Sequence, residues 1–403
     1  MTSKNIPYIR KLDHLRFFAA WLVGVYHYYH FQTPAYNGFK DPRVLTSKPF
    51  SAFLIEGHTG VALFLVLSGF IFAAICYRRE VSYPGFVMNR VLRIFPLYGV
   101  AIFLATMLAG APLAQFFGSL LLPYPGREMV SYVPITPHLW TIRLEFQFYL
   151  IFPFLILFAA KYGLRYLLGL ILLALSIRCM IWVSPEHDKL KDAVYGTLVG
   201  RLDQFAIGML AGSLYSGRAD IRLPKWLGWR YLPLIAWLAP LGVVYLFHRL
   251  GGNSHLPPGH GFWVIYPDLE GLAWAFFTLA YVLAPWDWPE RISKALGWLG
   301  ALSFSLYINH WIFAHDLTWR RLEMPWGRMA LPQLSESMTT NALLGFTFVA
   351  LPLLVLFSAI TYYVIEKPFF ELRRSYLKKK PGEGGDDRDR NRAAAPPASP
   401  PSS

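Results

Sequence analysis

Apolar residues in this chain come in long blocks rather than at the spacing of an amphipathic helix or strand. Nearly unbroken runs occupy Phe17 to Phe31, Gly60 to Cys76, Val91 to Leu108, Leu144 to Ala160 and Tyr166 to Val183. Each approaches the roughly 20 residues that carry a helix across a bilayer. Further runs cover Tyr195 to Tyr215, Tyr231 to Phe247, Glu270 to Ala284, Ala295 to His315 and Asn341 to Ile365. The pattern predicts an all-α, polytopic membrane bundle of about ten transmembrane helices. Ala111 to Leu122 is too short to span and is expected to lie at the interface or re-enter. Lys4, Arg10 and Lys11 precede the first run as in a secretory signal, but no small-residue cleavage site follows, so that run is read as a retained span. No internal repeat is visible. Residues 1–370 therefore form the transmembrane domain, and 371–403 a tail that is first basic and then rich in Pro and Ser. From Pro381 onward nothing in it is suited to burial, which predicts disorder.

Composition sharpens the picture. Of 403 residues, 55% are hydrophobic and 15% charged, against about 25% charged in a soluble domain, which argues against a soluble enzyme. An even number of spans puts both termini on one side, and 25 of the 38 lysines and arginines fall in the segments of that side, with 11 opposite. Both termini are therefore predicted to be cytoplasmic. The same bias, with attraction to anionic headgroups, accounts for the formal charge of +14 without a nucleic-acid partner. Cys76 and Cys179 sit in separate apolar blocks and read as small buried hydrophobes, not as a disulfide or metal site. His248, His255 and His260 fall in a predicted loop without ligand spacing, and no metal is implied.

Ionisable groups inside spans are costly, so each is a candidate for function. Arg16 and His27, in LDHLRFFAAWLVGVYHYYHF, share a helix face about 16 Å apart along the axis. Asp13 lies in the same segment. Arg90 and Arg93, in MNRVLRIFPLY, point the same way at i and i+3 and suit a phosphorylated ligand or, equally, a positive-inside anchor. In HLWTIRLEFQFYLIFPF, His138 and Glu145 are expected on one face, with Trp140 nearby and Tyr149 one turn beyond Glu145. Glu145 can orient a histidine, accept a proton or pair with Arg143 or Arg201. Arg201 and Asp203 are expected to neutralise each other or partners across the bundle, and Arg178 also lies within a span. Ser303, Ser305 and His310 lie in LSFSLYINHWIF, with Ser303 and His310 on one face. Glu366 beside Lys367 reads as a boundary pair or a functional group.

These segments together resemble the acyltransferase 3 family of bacterial integral-membrane acyltransferases, which modify O-antigens, exopolysaccharides, peptidoglycan and nodulation factors. The resemblance runs nearly to Phe370 and rests on the Arg16-to-His27 spacing, VALFLVLSGFIF, the Arg-x-x-Arg of NRVLRIFPLY, HLWTIRLEFQFYLIFP, GRLDQFAIGM, LGALSFSLYINH and IEKPF, in the family's order. It implies that His27 is essential to acyl transfer, that Arg16, Arg90 and Arg93 engage a cytoplasmic acyl-coenzyme A, and that Glu145 belongs to the active centre. The family's fourth-span motif usually has a serine and a second acidic residue, whereas Thr141, Arg143 and Phe146 stand here, which weakens the transfer of a role to Glu145. Asp13, Trp140, Tyr149, Arg201, Asp203, Ser303, His310 and Glu366 are carried as substrate-lining or structural residues. No fused soluble domain with a serine relay is expected.

The implied activity is a multi-pass, inner-membrane acyltransferase that takes an acetyl or other acyl group from acyl-CoA, with no bound cofactor, and delivers it to a glycan or glycolipid. Cell-envelope polysaccharide assembly proteins are natural partners of such an enzyme. His27 then serves either as general base or as a covalent acyl relay. Two rival readings are a transporter using the same intramembrane charges and a succinyltransferase of the same superfamily.

Overall fold

The computed structural model describes residues 8–31, 45–120, 135–219, 221–319, 323–324, 327–328 and 334–378. The tail expected from Pro381 and five of the eleven basic residues counted on the opposite side, Lys40, Arg43, Arg127, Arg320 and Arg321, lie outside the described residues. Apart from two strands of two residues each, Glu323–Met324 and Gly327–Arg328, the regular structure described is helical. In chain order the helices are α1 (Arg10–Phe31), α2 (Pro49–Ile55), α3 (Thr59–Cys76), α4 (Tyr83–Leu108), α5 (Leu113–Leu120), α6 (Trp140–Tyr162), α7 (Arg165–Val183), α8 (Leu190–Gly196) and α9 (Leu202–Tyr215). Then follow α10 (Leu232–Ala236), α11 (Leu238–Arg249), α12 (Gly252–His255), α13 (Phe262–Leu283), α14 (Glu290–Ala301), α15 (Ser303–Trp319), α16 (Met338–Gly345), α17 (Leu351–Thr361) and α18 (Lys367–Glu371). Wider π-helical turns at Phe346–Ala350 and Tyr362–Glu366 join α16 to α17 and α17 to α18.

Local chemistry sets several of these limits. Ser82 caps α4 by accepting a hydrogen bond from the Gly85 amide, with a proline in the first turn. Gly163, at φ 78°, ends α6 in a conformation that costs a side-chain-bearing residue dearly.

Among the described residues, six segments are long and apolar enough to cross a membrane: Thr59–Cys76, Tyr83–Leu108, Trp140–Tyr162, Arg165–Val183, Leu232–His255 and Met338–Glu371. They coincide with six of the ten predicted spans. The other four predictions fall on α1, α9, α13 and the α14–α15 pair, and the difference has a physical reason. These helices are short or carry ionisable groups, and α1, α9 and α13 are packed among the others, so they need less apolar surface of their own. The run Tyr195 to Tyr215 is interrupted before α9, where Gly200 lies hard against the Ala193 carbonyl. Ala295 to His315 breaks at Leu302, between α14 and α15. The short Ala111 to Leu122 segment contains α5, held against α4 by the Tyr98 hydroxyl donating to the Ser119 carbonyl at 2.9 Å.

At the centre α3 crosses α9 at close range. A Cβ on Gly208 would run into the Val66 carbonyl, one on Gly212 into the Phe70 carbonyl, and one on Gly69 into the Phe205 carbonyl. Small residues that let backbones touch are how helices gain van der Waals contact where lipid supplies no hydrophobic drive. Around this pair, α1 packs on α3, α14 and α15, and α13 on α9, α3 and α11. By contrast α7 shows Leu172, Met180 and Val183 to its surroundings, as a lipid-facing helix does. Cys76 is buried as expected, but Cys179 is exposed on α7.

Two polar networks lie in this core. Arg201 and Asp203 do not neutralise each other. Arg178 donates to Asp203 at 3.0 Å, to Asp268 and to the Val264 carbonyl at 2.7 Å. Arg201 lies 3.8 Å from Glu270, which accepts hydrogen bonds from Gln204 at 2.8 Å and Tyr266 at 2.9 Å. The partner of Asp203 comes from α7 and that of Arg201 from α13, so both are neutralised across the bundle. The second network surrounds Glu56, in the α2–α3 turn, whose carboxylate accepts from His248 at 2.8 Å, His58 at 3.1 Å and the Asn253 amide at 3.1 Å. Burial pushes the Glu56 carboxyl up, but the His248 and His58 hydrogen bonds outweigh it and hold the group at about 2. His248 thus belongs to the last turn of α11 and not to a loop.

Gly208→Leu should separate α3 from α9 and lower stability by about 1–3 kcal/mol, read as a fall in thermal unfolding temperature in detergent. Arg178→Leu leaves Asp203 and Asp268 without their guanidinium and should cost about 3–5 kcal/mol in the same measurement, whereas an unchanged midpoint would show the ion pair to be dispensable.

Candidate functional site

The chain's first and last described residues meet at one end of the bundle, around a cavity of about 700 Å³. Its walls hold Arg16 from α1, Ser68 from α3, Arg90 and Arg93 from α4, and Glu145 and Tyr149 from α6. Arg90 and Arg93 do face the same space, as their spacing predicts. The Arg90 guanidinium lies over the rings of Phe72 at 5.0 Å, Phe86 at 5.4 Å and Tyr149 at 5.7 Å. Its Nε is buried with no hydrogen-bond partner among the described residues. Arg93 lies over Phe370 at 4.9 Å and 3.6 Å from Glu366. Glu366 is fully buried and accepts from Ser305, so its partners are Arg93 and Ser305 rather than the neighbouring Lys367. Arg16 is 3.3 Å from Asp13, which also accepts from Tyr8 at 2.6 Å.

Deeper in, the space narrows to a pocket lined by Arg16, Ser68, Arg93, Thr141, Glu145, Ser303 and Tyr307. Glu145 accepts a hydrogen bond from Tyr149, and the Ser68 hydroxyl lies 3.5 Å away. Neither Arg143 nor Arg201 is its hydrogen-bonding partner. At the inner end the Tyr307 hydroxyl meets the Thr141 hydroxyl at 2.6 Å and the His138 carbonyl at 3.2 Å.

Beyond Tyr307 stand three histidines around Trp311. His310 Nδ1 is 2.6 Å from the Tyr307 carbonyl, and His310 Nε2 is 2.9 Å from His27 Nδ1. A carbonyl only accepts, so His310 Nδ1 carries the hydrogen, and in the neutral ring its Nε2 offers a lone pair. His27 Nδ1 must then donate, which leaves a lone pair on His27 Nε2. This contact favours the tautomer with the hydrogen on His27 Nδ1 and the lone pair on Nε2. The His27 ring is half-buried and packs 4.5 Å from Trp311. His138 stacks on the other side of Trp311 at 5.3 Å and donates from Nε2 to the Ile308 carbonyl at 3.1 Å. Among the described residues no cluster of three or more His, Cys, Asp or Glu is arranged to hold a metal.

Placement differs from expectation at several positions. His138 precedes the first residue of α6 and turns toward Trp311, so it does not share a helix face with Glu145. Glu145 lies in the arginine-lined space, and the Thr141–Tyr307 contact stands between that space and the histidines. Ser303 lines the inner pocket with its hydroxyl buried and unpartnered, while His310, two turns on, faces His27. Trp140 is half-buried at the start of α6 and lines neither space. Tyr307, Thr141 and Ser68 were not among the candidates. Tyr307 had a signal, since it stands one turn before His310, but its partner Thr141 is distant in sequence.

A family model described as an acyltransferase domain matches residues 9–365. The exopolysaccharide production protein ExoZ of Rhizobium meliloti (strain 1021) is 34% identical over 172 residues, 40% of this chain and 51% of that protein. A Staphylococcus aureus (strain COL) protein that bears the provisional name of O-acetyltransferase is 22% identical over 400 residues, 91% of this chain and 58% of its own length. The chain thus aligns with a little over half the length of these curated relatives. No solved structure matches it. The family match covers Arg16, Arg90, Arg93 and Glu145 of the cavity, the Tyr307 constriction and the histidine cluster, and the chain belongs to the acyltransferase 3 family.

Proposed function

We propose that the protein is a membrane acyltransferase that moves an acyl group, acetyl being the simplest, from a cytoplasmic acyl-CoA to a hydroxyl of an extracytoplasmic carbohydrate. The observation that carries this reading is the arrangement along α1: a basic cavity around Arg16 at one end, a base-oriented His27 toward the other, and Tyr307 between them. The excess of lysine and arginine on the terminal side assigns the cavity to the cytoplasm, where an acyl-CoA is available. The printed names of the relatives, an exopolysaccharide production protein and an O-acetyltransferase, point to a polysaccharide acceptor and an acetyl group.

In this mechanism Arg90 and Arg93 bind the donor's diphosphate, each through hydrogen bonds that a guanidinium makes well with phosphate oxygens. The pantetheine arm runs past Ser68 and Glu145 into the inner pocket. The Tyr307–Thr141 contact must part for the thioester to reach His27. There His27 Nε2 takes the proton of a sugar hydroxyl as its oxygen attacks the thioester carbonyl. A C–O bond forms, the C–S bond breaks, and the proton passes from His27 to the departing thiolate. The same lone pair serves a two-step route, in which Nε2 takes the acyl group first and the sugar hydroxyl removes it.

The test is transfer of labelled acetyl from acetyl-CoA into a surface-glycan extract by membranes containing the protein. His27→Ala should lower transfer at least about 100-fold, and full activity in that variant would sink the mechanism. His310→Leu, which removes the acceptor of the His27 N–H, should lower kcat about 10- to 100-fold with little change in donor KM, whereas His310→Gln, which keeps an acceptor oxygen, should recover part of it. Arg90→Gln should act the other way, raising donor KM about 10-fold or more through a lost charged hydrogen bond. Competition between acetyl-CoA and succinyl-CoA separates the two donor classes.

A further inference from the structure

The family match ends at residue 365, yet one wall of the cavity is built from residues beyond it: Lys367, Phe370, Glu371, Arg373, Arg374 and Tyr376. After α18 the chain runs as an extended strap along the start of α4, and every step is anchored. The Ser82 amide donates to the Tyr376 carbonyl at 2.8 Å and the Lys378 amide to the Glu80 carbonyl at 3.0 Å. Asn89, buried on α4 beside Arg90, donates to the Arg374 carbonyl at 2.6 Å and accepts from the Arg374 amide at 3.1 Å. Tyr376 packs edge-on against Phe86 at 5.3 Å. With both backbone groups of Arg374 bound by one side chain, the strap's register is set, and its two arginines stand at the cavity wall.

The cavity lining then holds six basic side chains, Arg16, Arg90, Arg93, Lys367, Arg373 and Arg374, against three acidic ones, Asp13, Glu145 and Glu371. Arg373 lies 3.7 Å from the Phe370 ring centroid. Burial, with Arg93 and Arg90 close by, pushes its guanidinium down to about 9. A cavity lined mainly by basic side chains raises the local concentration of anions. Arg90 and Arg93 alone match one diphosphate. A second arginine pair, carried on a different element at the same cavity, calls for a second anionic group on the same ligand.

We propose that the strap is the second phosphate-binding element of the donor cavity, with Arg373 and Arg374 holding the 3′-phosphate of an acyl-CoA whose diphosphate lies on Arg90 and Arg93. The proposal rests on the acyl-CoA reading above and adds a specificity: the protein distinguishes coenzyme A from its 3′-dephospho form, and it does so with residues that follow the matched region.

The test is equilibrium binding to the purified full chain in detergent, with coenzyme A and 3′-dephospho-coenzyme A as the two probes. The wild type should bind coenzyme A about 10- to 100-fold more tightly. The Arg373→Gln/Arg374→Gln variant should lose that advantage while its affinity for 3′-dephospho-coenzyme A stays within about twofold, and Arg373→Lys/Arg374→Lys should keep much of it. Asn89→Ala, which releases the Arg374 backbone while leaving both arginine side chains in the sequence, should produce the same selective loss. Equal affinity of the wild type for both probes, or an equal loss for both in the glutamine variant at an unchanged unfolding temperature, would overturn the strap assignment while leaving the donor reading standing. Failure of the wild type to bind either probe would overturn the donor reading, and the strap assignment with it.

Discussion

An ionisable side chain inside an apolar bundle must be matched by a partner or open onto a polar space, because leaving it bare among hydrocarbon costs several kcal/mol. That constraint sorts the buried charges of this protein into two kinds. Arg178, Arg201, Asp203, Asp268, Glu270 and Glu56 pair with one another, or with nearby histidines and amides, between α7, α9, α13 and the α2–α3 turn, although Arg201 Nε, Asp203 Oδ1 and Asp268 Oδ1 keep no hydrogen-bond partner among the described residues. Arg16, Arg90 and Arg93 open onto the cavity instead, and the rings beneath Arg90 supply the face of contact that a carboxylate does not. The networks tie α9 to α13 and α7, whereas the arginine cluster faces the cavity.

The helix α1 connects the two halves of the site. Its Arg16 lies at the cavity and its His27 among the histidines, so one helix spans the distance between them. Tyr307 holds both halves at once. Its hydroxyl closes the inner pocket against Thr141, while its own carbonyl sets the tautomer of His310 and, through it, of His27. A change at the constriction and a change at the His27–His310 pair are therefore coupled through a single residue.

Glu145 has a different place from that of a partner to His27. It sits one turn from Thr141 on α6, bonded by Tyr149, whose ring also lies beneath Arg90. This links the carboxylate to the arginines and to the closure, and makes it part of the cavity wall. Glu366, next to Arg93 and Ser305, ties the end of the last span to α4 and α15, which brings α18 and the strap to the cavity wall.

Much of this was legible in the chain itself. Blocks of apolar residues declare a helical membrane bundle because no other structure satisfies the backbone in lipid without many strands, and the arginine and histidine spacings on α1 and α4 place side chains on common faces because a helix repeats every 3.6 residues. The interior helices were less legible: α9 is short and α13 carries acids, since a helix sheathed by others is relieved of the need to be apolar all round. What only the tertiary structure decided is which charge meets which. The pairing of Arg178 with Asp203 and Asp268, the meeting of Thr141 with Tyr307, the approach of His310 to His27 and the docking of the strap on Asn89 all join positions far apart in the chain. A linear pattern records the period of each helix, and the rotation and crossing of one helix against another follow from packing that no single segment contains.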